Sequence, residues 1–138
     1  MIERAHSGMF GELVHELIAN GNSFRFCARG LSMNPTIQDG DILQVEPITA
    51  SPRIGEIVLF SRNGEFKAHR LVRRSGNDFI TRGDAGLEVD GIVAHTCVVG
   101  RVVAVELEDG TTVSMTGLSA RMKFFGRELR RKVSALQR

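Results

Sequence analysis

Ser32 lies in Gly30-Leu31-Ser32-Met33-Asn34-Pro35-Thr36, between a flexible glycine and a turn-fixing proline. A serine hydroxyl is inert at its own pKa and becomes a nucleophile only when a base takes its proton. His69, in Ala68-His69-Arg70-Leu71-Val72, is a candidate base that titrates near neutrality. Asp84, in Phe79-Ile80-Thr81-Arg82-Gly83-Asp84, is a candidate orienting carboxylate. Nucleophile, base and carboxylate in that order, each at a strand or turn edge, point to serine-hydrolase chemistry. Metal chemistry finds little support. Cys27 and Cys97 stand far apart and no Cys-x-x-Cys pair exists. Both are expected to be buried, reduced thiols.

The elements that must position these groups are mostly short strands. Apolar residues at 9, 10, 13, 14, 17 and 18 have helical spacing, so Met9–Ala19 reads as an amphipathic helix ended by Asn20-Gly21-Asn22. Strands are expected at Phe24–Ala28, Ile42–Glu46, Gly55–Phe60, Phe66–Arg73 and Phe79–Arg82, with Asn63-Gly64 as a hairpin turn. Within Ile92–Val105, Val98–Val105 reads as a long strand, in which Gly100 marks a bulge or bend. Thr111–Met115 pairs back on it, and the chain from Leu118 reads as helix. Strands at this spacing argue for a coiled sheet or small barrel.

At 138 residues the chain is expected to form one domain with a real core. Tyr and Trp are absent, which disfavours a base-stacking nucleic-acid surface. No apolar run reaches the roughly 20 residues of a spanning helix, and no secretory leader is apparent, so a cytoplasmic location is expected. The net charge of +2 is uneven. Residues 121–138 hold seven basic side chains against Glu128, a net +6, leaving −4 on residues 1–120.

Five boxes carry a resemblance: Gly30 to Thr36, Gly40-Asp41, Gly55-Glu56-Ile57-Val58, His69-Arg70 and Gly83-Asp84. In order and spacing they resemble type I signal peptidases and the related self-cleaving domains of SOS and phage repressors, one superfamily of serine proteases. The resemblance spans roughly residues 28–105. It implies a mainly β fold, a coiled antiparallel sheet or small partly open barrel with an N-terminal and a C-terminal helix. The organisation expected is an N-terminal helix and first strand over 1–27, a peptidase β domain over 28–117 and a basic amphipathic helix over 118–138.

The resemblance further implies Ser32 as nucleophile in a turn built by Gly30, Met33 and Pro35, with a backbone amide of that turn stabilising the oxyanion. Bacterial signal peptidases and repressors place lysine where this chain has His69; the endoplasmic-reticulum-type and archaeal enzymes place histidine there. Asp84 resembles the carboxylate of that Ser/His branch. Lys67, two residues before His69, shares its strand face, and is either an alternative base or a charge that tunes His69. Gly30 replaces the oxyanion-hole serine of many bacterial members, as in the repressor-like members. No cofactor is implied, and the partner is a protein or peptide substrate. Signal peptidases are anchored by apolar helices and this chain shows none, so the expectation is a free-standing peptidase. A self-cleaving regulator and a non-catalytic binding domain are the alternatives. Leu118, Met122, Phe125, Leu129, Val133 and Leu136 form an apolar stripe on the basic tail. That stripe suits packing on the sheet, a homodimer contact, or peripheral contact with an anionic membrane.

Overall fold

The computed structural model describes residues 2–4, 8–117, 129–130 and 132–136, with side chains from residue 11 onward. Among them, nine strands form one antiparallel sheet, β1 (Ile2–Arg4), β2 (Phe24–Cys27), β3 (Ile42–Glu46), β4 (Ile57–Arg62), β5 (Glu65–Ser75), β6 (Asp78–Arg82), β7 (Ile92–Val93), β8 (Val98–Glu106) and β9 (Thr112–Ser114). The spatial order is β2-β3-β8-β4-β5-β6-β7, with β1 added beside β5 and β9 beside β8. The sheet is not closed, and the chain is mainly β as the sequence implies. A helix, α1 (Gly8–Ala19), lies between β1 and β2.

Local chemistry accounts for the element boundaries. Gly21 takes φ +73° at the end of α1. Its amide returns to Ile18 and that of Asn22 to Leu17, the paired bonds of a Schellman cap. Asn63 (φ +54°) and Gly64 (φ +77°) both enter the left-handed region, as a two-residue hairpin between β4 and β5 requires. The strand expected from Gly55 begins at Ile57 instead, because Gly55 (φ +99°) and Glu56 belong to the preceding turn. The long strand expected over Val98–Val105 is β8, and a 3-10 turn at His95–Cys97 separates it from β7. The register of β4 on β8 shifts between Leu59 and Phe60, whose partners are Gly100 and Val98. A Cβ at Gly100 would stand 2.6 Å from Val45 Cγ1 and 2.8 Å from the Glu46 carbonyl. Close approach of β3 therefore demands glycine there.

The core lies on one side of the sheet. Val14 of α1, Phe26 of β2, Leu43, Val45, Ile57, Leu59, Ala68, Val102 and Val105 pack together with Met33 and Ile37. A smaller cluster, Val58, Phe60 and Val93, lies beside β7. Cys27 and Cys97 are free and half-buried, rather than buried as expected. No helix among the described residues is long and apolar enough to cross a membrane. Leu118, Met122 and Phe125 of the expected C-terminal stripe lie outside the described residues. Residues 129–130 and 132–136 are helical, and Leu129, Val133 and Leu136 are exposed there.

Candidate active site

The turn that carries Ser32 is held by its own apolar side chains. Met33 and Ile37 are fully buried in the core, each contributing about 1.5–3 kcal/mol by leaving water. The Ile37 amide closes on the Met33 carbonyl at 3.0 Å, and the Asn34 amide on that of Leu31 at 3.1 Å. The Asn34–Pro35 peptide is cis. The excursion is tied at its base by Ala28, whose amide donates to Asp41 and whose carbonyl accepts from Gly40. Gly30 (φ +92°) gives its amide to Asp39 Oδ1 at 2.7 Å. Gly30 thus serves the turn, and its amide is not offered to a substrate.

His69 sits in the middle of β5, between the stretch paired with β1 and the stretch paired with β6. It is 4% exposed and packs edge-on against the Phe60 ring. Its Nε2 lies 3.0 Å from Ser32 Oγ. Its Nδ1 lies 2.6 Å from Asp90 Oδ2. The same Oδ2 accepts from Thr81 Oγ1 at 2.6 Å, and Oδ1 receives the Lys67 ammonium at 3.3 Å. Asp90 itself is positioned by its backbone. Its amide donates to the Thr81 carbonyl, while the Arg62 guanidinium takes the carbonyls of Asp90 and Ile92.

The carboxylate at the imidazole is therefore Asp90, which corrects the sequence expectation of Asp84. Asp84 is engaged elsewhere. Arg70 Nε and Nη2 reach its two oxygens at 3.1 and 2.5 Å, and Thr36 Oγ1 donates to it at 2.5 Å. Its amide points at Met33 Sδ, 3.3 Å away, and the neighbouring Ala85 amide donates to the Ser32 carbonyl at 3.0 Å. The physical reason is adjacency in β5. Arg70 follows His69 and so points to the opposite face, and the nearer carboxylate goes to the guanidinium. Gly83 makes this docking possible: a Cβ there would lie 2.5 Å from the Ser32 carbonyl oxygen and 3.1 Å from His69 Nε2. Lys67 shares the His69 face as expected, but its ammonium goes to Asp90 rather than to Ser32.

The electrostatics suit a neutral base. Burial lowers the His69 pKa below its ordinary 6.5, against the raising effect of the Asp90 hydrogen bond. Burial pushes Asp90 up, but hydrogen bonds from His69 and Thr81 and the nearby positive charge outweigh it and hold the pKa at about 2. At neutral pH Asp90 is an acceptor only. Nδ1 must then carry the proton, which leaves the Nε2 lone pair to accept from the Ser32 hydroxyl. No group of three or more His, Cys, Asp or Glu side chains able to hold a metal occurs among the described residues.

Sequence reasoning gave no role to Asp90, Thr81 or Thr36. The one local signal for Asp90 was the Asp90-Gly91 turn entering β7, where Gly91 takes φ +84°. A family model described as Peptidase S24-like matches residues 6–81, more than half of the chain. The match takes in Ser32 and His69 and stops short of Asp84 and Asp90. No curated protein matches the chain. With the sheet, the Ser32 turn and the match all in agreement, the chain belongs to the Peptidase S24-like family.

Proposed function

We propose that this chain is a serine endopeptidase acting on a protein or peptide, such as a leader or terminal extension, through Ser32, His69 and Asp90. The observation that carries the reading is the unbroken relay of 3.0 Å from Ser32 Oγ to Nε2 and 2.6 Å from Nδ1 to Asp90. In this reading His69 takes the hydroxyl proton as Oγ attacks the scissile carbonyl. The Ser32 amide is assigned to the oxyanion. Asp90 stabilises the imidazolium, which then hands its proton to the leaving amine. An acyl-serine remains, and water activated by the same His69 releases the acid.

A fluorophosphonate probe tests this, because it phosphonylates a serine, with loss of fluoride, only where a base has activated it. The intact chain should be labelled at Ser32, and Ser32→Ala should not be labelled while keeping its melting temperature. Absence of labelling in the intact chain would leave a non-catalytic binding domain on the same fold. Action in cis is a second reading, favoured by β1. That strand pairs with β5 so that Ile2 faces Lys67, two residues from the catalytic histidine of this reading. Incubation of the pure chain and mass determination decide between cis and trans cleavage. The basic tail, whose described apolar residues are exposed, is assigned to location or partner contact. Co-sedimentation with anionic vesicles at low and high salt checks the membrane form of that assignment.

A further inference from the structure

Asp90 has two oxygens and uses them differently. Oδ2 faces the imidazole and Thr81, and Oδ1 faces Lys67 at 3.3 Å. The lysine lies on the His69 face of β5 and is three-quarters buried, so its charge is poorly screened. A strand-face lysine with no work to do would extend into water, where its ammonium is better hydrated. Here it is drawn onto a carboxylate whose other oxygen serves the base.

Resting on the peptidase reading, we infer that Lys67 is a positioning residue: it holds Oδ1 of Asp90 so that Oδ2 stays on His69, and its charge sets the pH at which His69 becomes a competent base. Two effects follow, with separate readouts. The hold keeps the carboxylate from rotating away from Nδ1, which affects the rate at any pH. The charge disfavours imidazolium, which moves the acid limb of the rate. Other groups facing His69 act on the same proton. Asp90, from the loop before β7, favours the charged form. Lys67 disfavours it. Phe60 of β4, the Ser32 hydroxyl and the Gly83 backbone add no charge.

The experiment follows fluorophosphonate labelling of Ser32 against pH in the intact chain, Lys67→Met and Lys67→Arg. Lys67→Met should move the acid limb up by about half to one pH unit, a three- to tenfold loss at a fixed acidic pH. It should also lower the plateau several-fold. Lys67→Arg should restore the limb because it restores the charge. A limb that stays in place in Lys67→Met, at unchanged melting temperature, overturns the inference. The same variants in a Ser32→Ala background, with the His69 imidazole resonances titrated by NMR, give the answer without any turnover. There, an upward-shifted His69 titration beside an unlabelled intact chain would retain the electrostatic role and sink the peptidase reading alone. An unshifted titration sinks the role of Lys67 whatever the labelling shows.

Discussion

Asp84 and Asp90 stand in one loop, six residues apart in sequence, and both lie beside the Ser32–His69 pair. Their partners differ in kind. Asp84 is 6% exposed and faces the guanidinium of Arg70, a cation that keeps its charge through any reaction. Asp90 faces an imidazole, which gains and loses charge near neutrality. A carboxylate against arginine is satisfied before and after chemistry and can only hold things in place. A carboxylate against histidine gains its strongest attraction at the moment imidazolium forms. The partner's ability to change charge, more than distance from the nucleophile, separates a fastening from a catalytic aid. In this reading Asp84 pins the Ser32 turn, through Thr36, its own amide and that of Ala85, and Asp90 serves the base.

The sharpest way to break that contrast is Asp90→Asn. It keeps the shape, but its amide favours the wrong imidazole tautomer, so labelling of Ser32 should fall by about 10⁴-fold with little change in melting temperature. A small rate effect would return the orienting role to another group. Asp84→Ala should do the converse. It strands Arg70 in the interior and should cost about 3–5 kcal/mol of stability, read by denaturant unfolding. Unaltered stability would deny the fastening role. Gly83→Ala tests whether the loop must lie directly on the dyad. The added methyl meets the Ser32 carbonyl and His69 Nε2, and a displacement near 1 Å should lower the rate by roughly 100-fold. Thr81→Val removes one of the donors to Asp90 Oδ2 and should cost about tenfold or less, about 1 kcal/mol. The pH profile sharpens the same contrast. His69 must be deprotonated to act, and burial lowers its pKa, so the rate should rise through a midpoint below 6.5 and stay high above it. Stability should follow the same sign. An unfolded chain binds protons at His69 below 6.5 and at Asp90 below 3.8, before the folded chain does, so acid favours unfolding through both groups.

Much of the fold could be read from residue order because the signals were local. The period of α1, the Asn63-Gly64 turn and the alternation in β3 and β6 each need only their neighbours. Gly100 was legible as a bend, although the crowding by Val45 and Glu46 that requires it comes from β3, far away in sequence. Ser32 and His69 were legible from their boxes, and the structure brings them together. Asp90 was not, since nothing in Val89-Asp90-Gly91 distinguishes a catalytic partner from a turn aspartate. Its role depends on which of two carboxylates the Arg70 side chain captures. That competition is settled across strands, by the alternation of His69 and Arg70 on opposite faces of β5.

The loop from Gly83 to Asp90 is fastened at both ends and open between them. Ala85 is bonded to the Ser32 carbonyl and Asp90 to His69, while Leu87 and Val89 are 76% and 45% exposed. The loop thus meets the Ser32–His69 pair through its two ends. On the peptidase reading, the stretch from Gly86 to Val89 can change in length and character, through insertion, exchange or grafted sequence, while the spacing of nucleophile and base is kept. On that reading, descendants of this chain could acquire new tastes in substrate there while inheriting the same chemistry.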